Sequence, residues 1–104
     1  MRRGEVWWAE LPAPFGRRPV VLLSRDEAYA IRNQVSVAPV TTRMRGIRSE
    51  VPLGPEQGLP KRCVANLDAI GTIPKGALRE RIALLLPDKI QAVNSAIRFA
   101  LGLD

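Results

Sequence analysis

The order of apolar and polar residues along the chain predicts about six short strands followed by one helix. In the predicted strands apolar side chains alternate with polar ones or form short unbroken runs, and glycine, proline and polar clusters separate them. The strands are predicted at residues 2–11, 19–24, 35–40, 50–53, 63–73 and 79–86. The fifth of them is either one long strand or a bent pair. So many short strands favour a mainly β fold, a small, strongly curved sheet or barrel with the helix as a cap.

The helix is predicted over residues 88–103. Pro87 suits its first turn, and Asp88 suits the positive end of the helix dipole. One buried stripe at helical spacing is predicted from Ile90, Val93, Ile97 and Leu101. Phe99 and Leu103 lie off this stripe and could cover a second surface, such as a dimer mate.

Three connecting features are also predicted. Ser24 is placed as the N-cap of a short helical turn over residues 25–31, with Glu27 as its reciprocal partner. Pro39, inside the third strand, argues for a bulge or an edge position. Residues 54–62 contain two glycines and two prolines, which is typical of a mobile excursion.

Two polar pairs stand at the ends of predicted core strands. Arg17 and Arg18 precede the apolar run of the second strand, so a rigid element would hold their guanidinium groups in place. Thr41 and Thr42 close the third strand. We expect the two strand ends to be neighbours, with guanidinium and hydroxyl groups sharing one open hollow wide enough for a backbone phosphate.

Charge adds a candidate partner to this picture. The chain has 16 Lys and Arg residues against 10 Asp and Glu, which gives a formal charge of +6. A small basic domain attracts polyanions, of which RNA and DNA are the commonest. Genome bias or thermal adaptation is the alternative explanation of an arginine-rich composition.

The absence of histidine removes the usual general acid–base residue and the commonest metal ligand. The acidic residues are scattered, whereas a two-metal nuclease needs clustered carboxylates. With a single cysteine, a zinc site within the chain is close to excluded. We therefore expect no metal and no cofactor, and any catalysis must use Arg, Thr, Ser, Asn, Asp, backbone or substrate groups.

Length and cysteine content bound the organisation of the chain. The 104 residues predict one domain over 1–104 with a small core, which makes a dimer plausible. Cys63 lies in an apolar context and is predicted to be a core residue, in agreement with a reducing compartment. No run of residues has the layout of a membrane span or a signal peptide, so we expect a cytoplasmic protein without a membrane partner.

Four blocks of sequence together carry a family resemblance that spans nearly the whole chain. They are residues 3–7 (RGEVW), 18–24 (RPVVLLS), 37–42 (VAPVTT) and 67–73 (LDAIGTI), followed by the terminal helix. With these blocks the chain resembles the MazF/PemK family of bacterial toxins. The first three are fairly specific in combination, and any one alone would be weak.

The resemblance implies a small SH3-like (PemK/CcdB-like) β-barrel, usually a homodimer, that cleaves single-stranded RNA at short sequences without a metal. It also implies a cognate antitoxin, whose flexible segment occupies the RNA groove and with which the toxin binds DNA. The family's catalytic pair is the arginine before the Pro-Val strand and the threonine closing the third strand. These positions correspond to Arg18 and Thr41 in this chain, and the adjacent Thr42 could share the role.

The chain departs from the family pattern in the fourth block, where relatives often carry Asp-Gln or Glu-Gln and this chain has Asp68 followed by Ala69. The base-reading amide is missing there, and Asn66, Asp68 or Arg17 could replace it. The loop before Arg18 is also short. Both departures concern which RNA sequence is cut rather than the chemistry.

Further RNA contacts are predicted around the candidate pair. Arg43, Arg45 and Arg48 form a basic loop that could track phosphates, or could equally be a solvated loop. Phe15 could stack on an unpaired base.

RNA carries its own nucleophile, the 2′-hydroxyl, so an enzyme can work by alignment and by stabilising charge on the phosphoryl oxygens. Arg18 could donate two parallel hydrogen bonds to those oxygens, and Thr41 a third. Asp68 is a candidate general base if it lies in the site. The structural alternative for Arg18 is a surface arginine paired with Glu10 or Asp68.

Two other functions stay open at this point. One is a gyrase-binding toxin of the CcdB-like type, which would act through its last residues; residues 100–104 lack the tryptophan often exposed there. The other is a non-catalytic RNA-binding barrel, which would bind RNA with a steep salt dependence and leave it intact.

Overall fold

The computed structural model describes residues 1–103; residue 104, the last of the predicted domain, lies outside the described part. Two α-helices are present there, α1 (Ala28–Ile31) and α2 (Pro87–Leu101). The strands of the same residues are β1 (Glu5–Leu11), β2 (Gly16–Leu22), β3 (Gln34–Thr41), β4 (Glu50–Leu53), β5 (Cys63–Asn66), β6 (Gly71–Pro74) and β7 (Leu78–Leu84). Single 3₁₀ turns occur at Pro55–Gln57, Leu67–Ala69 and Lys75–Ala77.

All strand pairs are antiparallel, in the order β4-β5-β3-β2-β1-β7, and β6 also pairs with β3. The predicted mainly β fold with a C-terminal helix is therefore confirmed. The sheet is not closed, because no ladder joins β4 to β7 within residues 1–103. Among those residues, no helix has the length and apolar character needed to cross a membrane.

Strand alternation divides the buried side chains between two cores. Val21 belongs to the first core, which α2 covers through Val93 and Ala96. Val20 and Leu22, one residue away on either side, belong to the second core. The second core lies on the opposite face of the sheet, and the hollow described below opens next to it.

Strand β3 is the centre of the sheet because it pairs with three other strands. On one edge it pairs with β2, with Pro39 opposite Val20 and no shift of register. On its other edge β6 pairs with residues 34–37 and β5 with residues 40–41, so Pro39 falls between these two partners. Of the two predicted alternatives for Pro39, a bulge is absent from the β2–β3 ladder, and Pro39 instead has a partner strand on one side only, as at an edge. The fifth predicted strand is a bent pair, β5 and β6.

Strand β2 begins three residues earlier than predicted, so both arginines lie within it rather than before it. Arg17 pairs with Glu10 and Arg18 with Ala9 of β1. The strand tolerates Pro19 because pairing with β3 starts only at Val20, which leaves Pro19 with a partner strand on one side.

The predicted N-cap at Ser24 was wrong because its side chain has a distant partner. The Ser24 hydroxyl accepts a hydrogen bond from the Ser36 backbone N–H at 2.8 Å, and α1 begins only at Ala28 without a side-chain cap. The segment 54–62, predicted as a mobile excursion, contains a 3₁₀ turn at Pro55–Gln57 and the buried Leu59, which is 3% exposed.

Near the ends of β7 and α2, the residues that are buried differ from those that the apolar pattern predicted. Strand β7 ends at Leu84, so the alternation stops, and Leu85 is buried while Leu86 is exposed. On α2 the small Ala96 is buried, whereas Leu101 in the last turn is exposed.

Candidate active site

An open hollow of about 550 Å³ lies on the face of the sheet opposite α2. Its floor is apolar and includes Val20 and Val37, which also belong to the second core. Its walls are the β1–β2 connection, the basic loop (residues 43–48) and the turn after β5. The polar side chains that line it are Arg18, Thr41, Arg43, Arg45 and Asn66.

Arg18 enters this hollow from β2 with its guanidinium free of any ion pair. Within residues 1–103 no carboxylate oxygen lies within 4.0 Å of it. Its Nε is buried and has no hydrogen-bond partner among those residues. The only ring near it is that of exposed Phe15, whose centre lies 6.0 Å from the guanidinium carbon. The guanidinium fork is therefore available to an anion.

Thr41 reaches the same hollow from the end of β3, the strand next to β2. Its Oγ1 accepts a hydrogen bond from the Arg43 backbone N–H at 3.1 Å. A hydroxyl that accepts in this way still has its own hydrogen to donate. Thr41 can thus offer one donor to an anion held by Arg18.

Arg17 projects from the other face of β2, as strand alternation requires. Its guanidinium nitrogens lie 4.0 Å from a Glu10 oxygen and 3.6 Å from a Glu80 oxygen. The guanidinium carbon stands 4.8 Å from the centre of the Trp8 ring. The ion pair with Glu10 that was the structural alternative for Arg18 belongs to Arg17 instead, and Arg17 does not line the hollow.

Thr42 also turns away from the hollow. It lines a smaller cleft of about 120 Å³ together with Trp8 and Cys63. Cys63 is a buried residue of the first core, as predicted. Burial raises the pKa of its thiol, so the protonated form is favoured and the residue is suited to packing rather than reactivity.

Asn66 is the one member of the three base-reading candidates that lines the hollow. Its Oδ1 accepts a hydrogen bond from the Asp68 backbone N–H at 3.0 Å. The amide oxygen keeps a second lone pair, and the NH₂ group remains able to donate. The bond from Asp68 fixes the orientation of the amide, so that Asn66 can present its NH₂ group to an acceptor on a base.

Asp68 does not line the hollow, so its predicted contact with RNA and its candidacy as the base find no support in the geometry. It lies on the turn Leu67–Ala69, and its carboxylate accepts a hydrogen bond from the buried Ser49 hydroxyl. No Asp or Glu lines the hollow at all, within the described chain. A donor set of three arginines, a hydroxyl and an amide suits an anion rather than a metal ion.

Sequence reasoning missed two residues behind the hollow, Ser49 and Glu50, both of which are buried. Their only sequence signal is a polar pair placed where the basic loop ends and an apolar strand begins. Elsewhere too, no group of three His, Cys, Asp or Glu side chains that could hold a metal occurs in residues 1–103.

The chain belongs to the family of PemK-like, MazF-like toxins of type II toxin–antitoxin systems, whose model matches residues 2–101. The fold and the paired placement of Arg18 and Thr41 agree with the resemblance seen in the sequence blocks.

Individual relatives point the same way. The chain is 42% identical over 99 residues to the probable endoribonuclease MazF5 of Mycobacterium tuberculosis, covering 94% of this chain and 90% of that protein. The M. tuberculosis toxin MazF-mt6 has a similar structure, with a TM-score of 0.89, 35% identity and coverage of 96% and 98%. A mycobacterial endoribonuclease in complex with its cognate antitoxin matches with a TM-score of 0.86, 27% identity and coverage of 100% and 97%.

Proposed function

We propose that this protein is an endoribonuclease toxin that cleaves single-stranded RNA at short sequences without a metal. The observation that carries the proposal is the guanidinium of Arg18, which meets no carboxylate of residues 1–103 and shares an open hollow with the Thr41 hydroxyl. Relatives named as endoribonucleases supply the reaction class. We place the activity in the cytoplasm, in a single domain, as the sequence leads us to expect.

In the proposed reaction the 2′-oxygen of the RNA attacks the adjacent phosphorus, and the bond from phosphorus to the 5′-oxygen breaks. The products are a 2′,3′-cyclic phosphate and a free 5′-hydroxyl. Negative charge develops on the non-bridging phosphoryl oxygens, where Arg18 donates two hydrogen bonds and Thr41 one. The 2′-hydroxyl proton passes to water or to a phosphoryl oxygen, and the departing 5′-oxygen takes up a proton from water. Water fills both roles because no described side chain lining the hollow is a base at neutral pH.

Neighbouring nucleotides contact the remaining lining residues. Arg43 and Arg45, which are exposed, bind phosphates and contribute affinity that depends on salt. Phe15, 58% exposed at the rim, stacks on an unpaired base. The Asn66 NH₂ group reads a base acceptor, which takes the place of the glutamine amide found in many relatives.

Two protein partners complete the proposal. A cognate antitoxin is one partner, as suggested by the relative solved in complex with its own antitoxin. We place its flexible segment in the hollow, as the family resemblance implies. A second copy of the chain would form a homodimer, and the exposed Phe99, Leu101 and Leu103 are apolar residues that such an interface could cover.

Incubation with a long single-stranded RNA in EDTA, followed by end mapping, tests the reaction. We expect cuts at a short recurring sequence, with 2′,3′-cyclic phosphate and 5′-hydroxyl ends. A substrate with 2′-deoxyribose at the cut nucleotide should stay intact, since it lacks the nucleophile. Cleavage that required Mg²⁺, or cleavage of the deoxy substrate, would contradict the mechanism; binding without cleavage would favour a non-catalytic RNA-binding protein.

A further inference from the structure

Ser49 and Glu50 stand directly behind the hollow without lining it. Ser49 is 0% exposed and Glu50 is 8% exposed, and the third buried polar or charged residue of the described chain is Glu5. They lie between the two walls of the hollow that carry its RNA-facing polar groups, the basic loop before them and the turn after β5.

Glu50 holds the basic loop by its backbone. A single carboxylate oxygen, Oε1, accepts hydrogen bonds from the backbone N–H of Arg45 at 2.9 Å and of Gly46 at 3.0 Å. The Glu50 backbone N–H in turn donates to the Ile47 carbonyl at 3.0 Å. Gly46 has a φ of +69°, a left-handed conformation that glycine adopts easily and that turns the loop around the carboxylate.

Ser49 holds the opposite wall in a similar way. Its hydroxyl donates to the Asp68 carboxylate, and its carbonyl accepts from the Leu67 backbone N–H at 2.8 Å. Because Asp68 in turn uses its own N–H to orient the Asn66 amide, this contact extends to a side chain that lines the hollow.

Glu50 differs from the other buried carboxylate, Glu5, in what it connects. Glu5 uses both oxygens, accepting from Arg2, Trp7 and Arg81, and joins core strands to each other. Glu50 accepts hydrogen bonds from the backbone of an exposed loop through one oxygen, Oε1. Its other oxygen, Oε2, is buried and has no hydrogen-bond partner in residues 1–103. Burying a carboxylate with an unsatisfied oxygen costs free energy, so a role in stability alone explains Glu50 poorly.

We propose that Ser49 and Glu50 are positioning residues that brace the two walls of the hollow, with Glu50 presenting Arg45 and Arg43 to the RNA backbone. The part of this inference that concerns RNA binding rests on the proposed function. The brace pre-orders a loop whose residues 43–48 are all exposed, so that RNA does not have to order it on binding.

The test compares Glu50→Met, Glu50→Gln and Glu56→Met with wild type. Methionine keeps most of the volume of Glu50 but removes the acceptor, whereas glutamine keeps an acceptor oxygen without the charge. Exposed Glu56 makes no side-chain hydrogen bond among the described residues, so Glu56→Met is matched in charge and in residue type. Should Glu50→Met fail to fold, Glu50→Asp withdraws the acceptor by one methylene and keeps the charge.

The first readout, NMR amide exchange, needs no RNA. Exchange at Arg45 and Gly46 should accelerate about tenfold in Glu50→Met, the effect of losing about one hydrogen bond, and stay near wild type in Glu50→Gln and Glu56→Met. The second readout is cleavage of a short RNA. KM should rise about tenfold in Glu50→Met with kcat within about threefold of wild type, because phosphate contacts to the loop are made before and during the reaction.

Unchanged exchange in Glu50→Met would overturn the brace, and so would Glu50→Gln behaving like Glu50→Met. Faster exchange with an unchanged KM would show a loop restraint without a role in RNA binding, which also overturns the proposal. If wild-type protein neither bound nor cut RNA, the proposed function would fail, while the exchange experiment would still decide whether Glu50 restrains the loop.

Discussion

Replacing Arg18 should remove activity without removing stability, and its neighbour Arg17 provides the matched control. Both residues are arginines on β2, one position apart, and they point to opposite faces of the sheet. Arg18 enters the hollow, and Arg17 pairs with Glu10 and Glu80. The comparison of Arg18→Ala with Arg17→Ala therefore holds charge, residue type and strand constant.

The expected loss for Arg18→Ala is about 10³-fold in kcat. Removing one preorganised donor from a site of developing negative charge costs about 10²- to 10³-fold, and Arg18 can supply two donors. A 10³-fold loss corresponds to about 4 kcal/mol in the barrier. The Arg18→Lys variant keeps the charge but loses the planar fork, so its kcat should lie between that of wild type and that of Arg18→Ala.

The stability of Arg18→Ala should stay within about 1 kcal/mol of wild type, because Arg18 has no ion pair to break among the described residues and one unsatisfied buried nitrogen to remove. Arg17→Ala should lose at most about 1 kcal/mol, since its pairs are exposed, and should cut RNA within about fivefold of wild type.

The measurements are single-turnover cleavage at saturating enzyme and urea unfolding of the same preparations. Equal loss of cleavage in both alanine variants would mean that general positive charge matters and that the hollow does not define the site. An Arg18→Ala variant that cut RNA within tenfold of wild type would remove Arg18 from the chemistry.

Three further outcomes are expected. Burial alone would raise the pKa of Glu5, but hydrogen bonds from Trp7, Arg81 and the Arg2 backbone together lower it. The stability that Glu5 contributes is therefore present above the pKa of an unfolded glutamate and lost as pH falls through the lowered value, so the gap in unfolding free energy between wild type and Glu5→Gln should shrink on acidification; a gap independent of pH would contradict this. Asp68→Asn should cut RNA with kcat within about threefold of wild type, because Asp68 faces Ser49 rather than the hollow and asparagine can still accept that bond; a large loss of kcat would return it to the mechanism. Asn66→Ala should relax the choice of base at one position, by about 10-fold or more in end-mapped cleavage, since a good base contact discriminates by about 1–3 kcal/mol; unchanged cut sites would show that Asn66 reads no base.

The two arginines of β2 show how much of the candidate site can be predicted from the sequence. The sequence placed both arginines before the predicted strand, and only their position within β2 makes Arg17 and Arg18 face opposite sides. The family resemblance favours Arg18 as the catalytic member. Periodicity does not tell which side carries acidic partners, because Glu80 comes from β7, far along the chain. The placement of Arg18 and Thr41 in one hollow was expected from the sequence, whereas their catalytic roles stay predictions.

The observed partners of two side chains could not be expected from the residues near them in sequence. The Ser24 hydroxyl and the Asp68 carboxylate each bond to a residue that only the tertiary fold brings near, Ser36 and Ser49 respectively. A local capping pattern competes with such distant partners, and nothing in the nearby residues shows which will win. Glu50 was missed for a different reason, since its partners are close in sequence but are backbone amides, which no residue type reveals.

The topology of the sheet has a consequence for when the hollow forms during synthesis of the chain. The residues that line the hollow are as far apart in sequence as Leu11 and Ile73. Helix α2, which covers the core on the opposite face, is the last element of the described chain to leave the ribosome. Contacts this distant in sequence form late in folding. A nascent chain in which these residues and α2 have not yet emerged therefore lacks a finished hollow, so the message being translated would be spared during that interval.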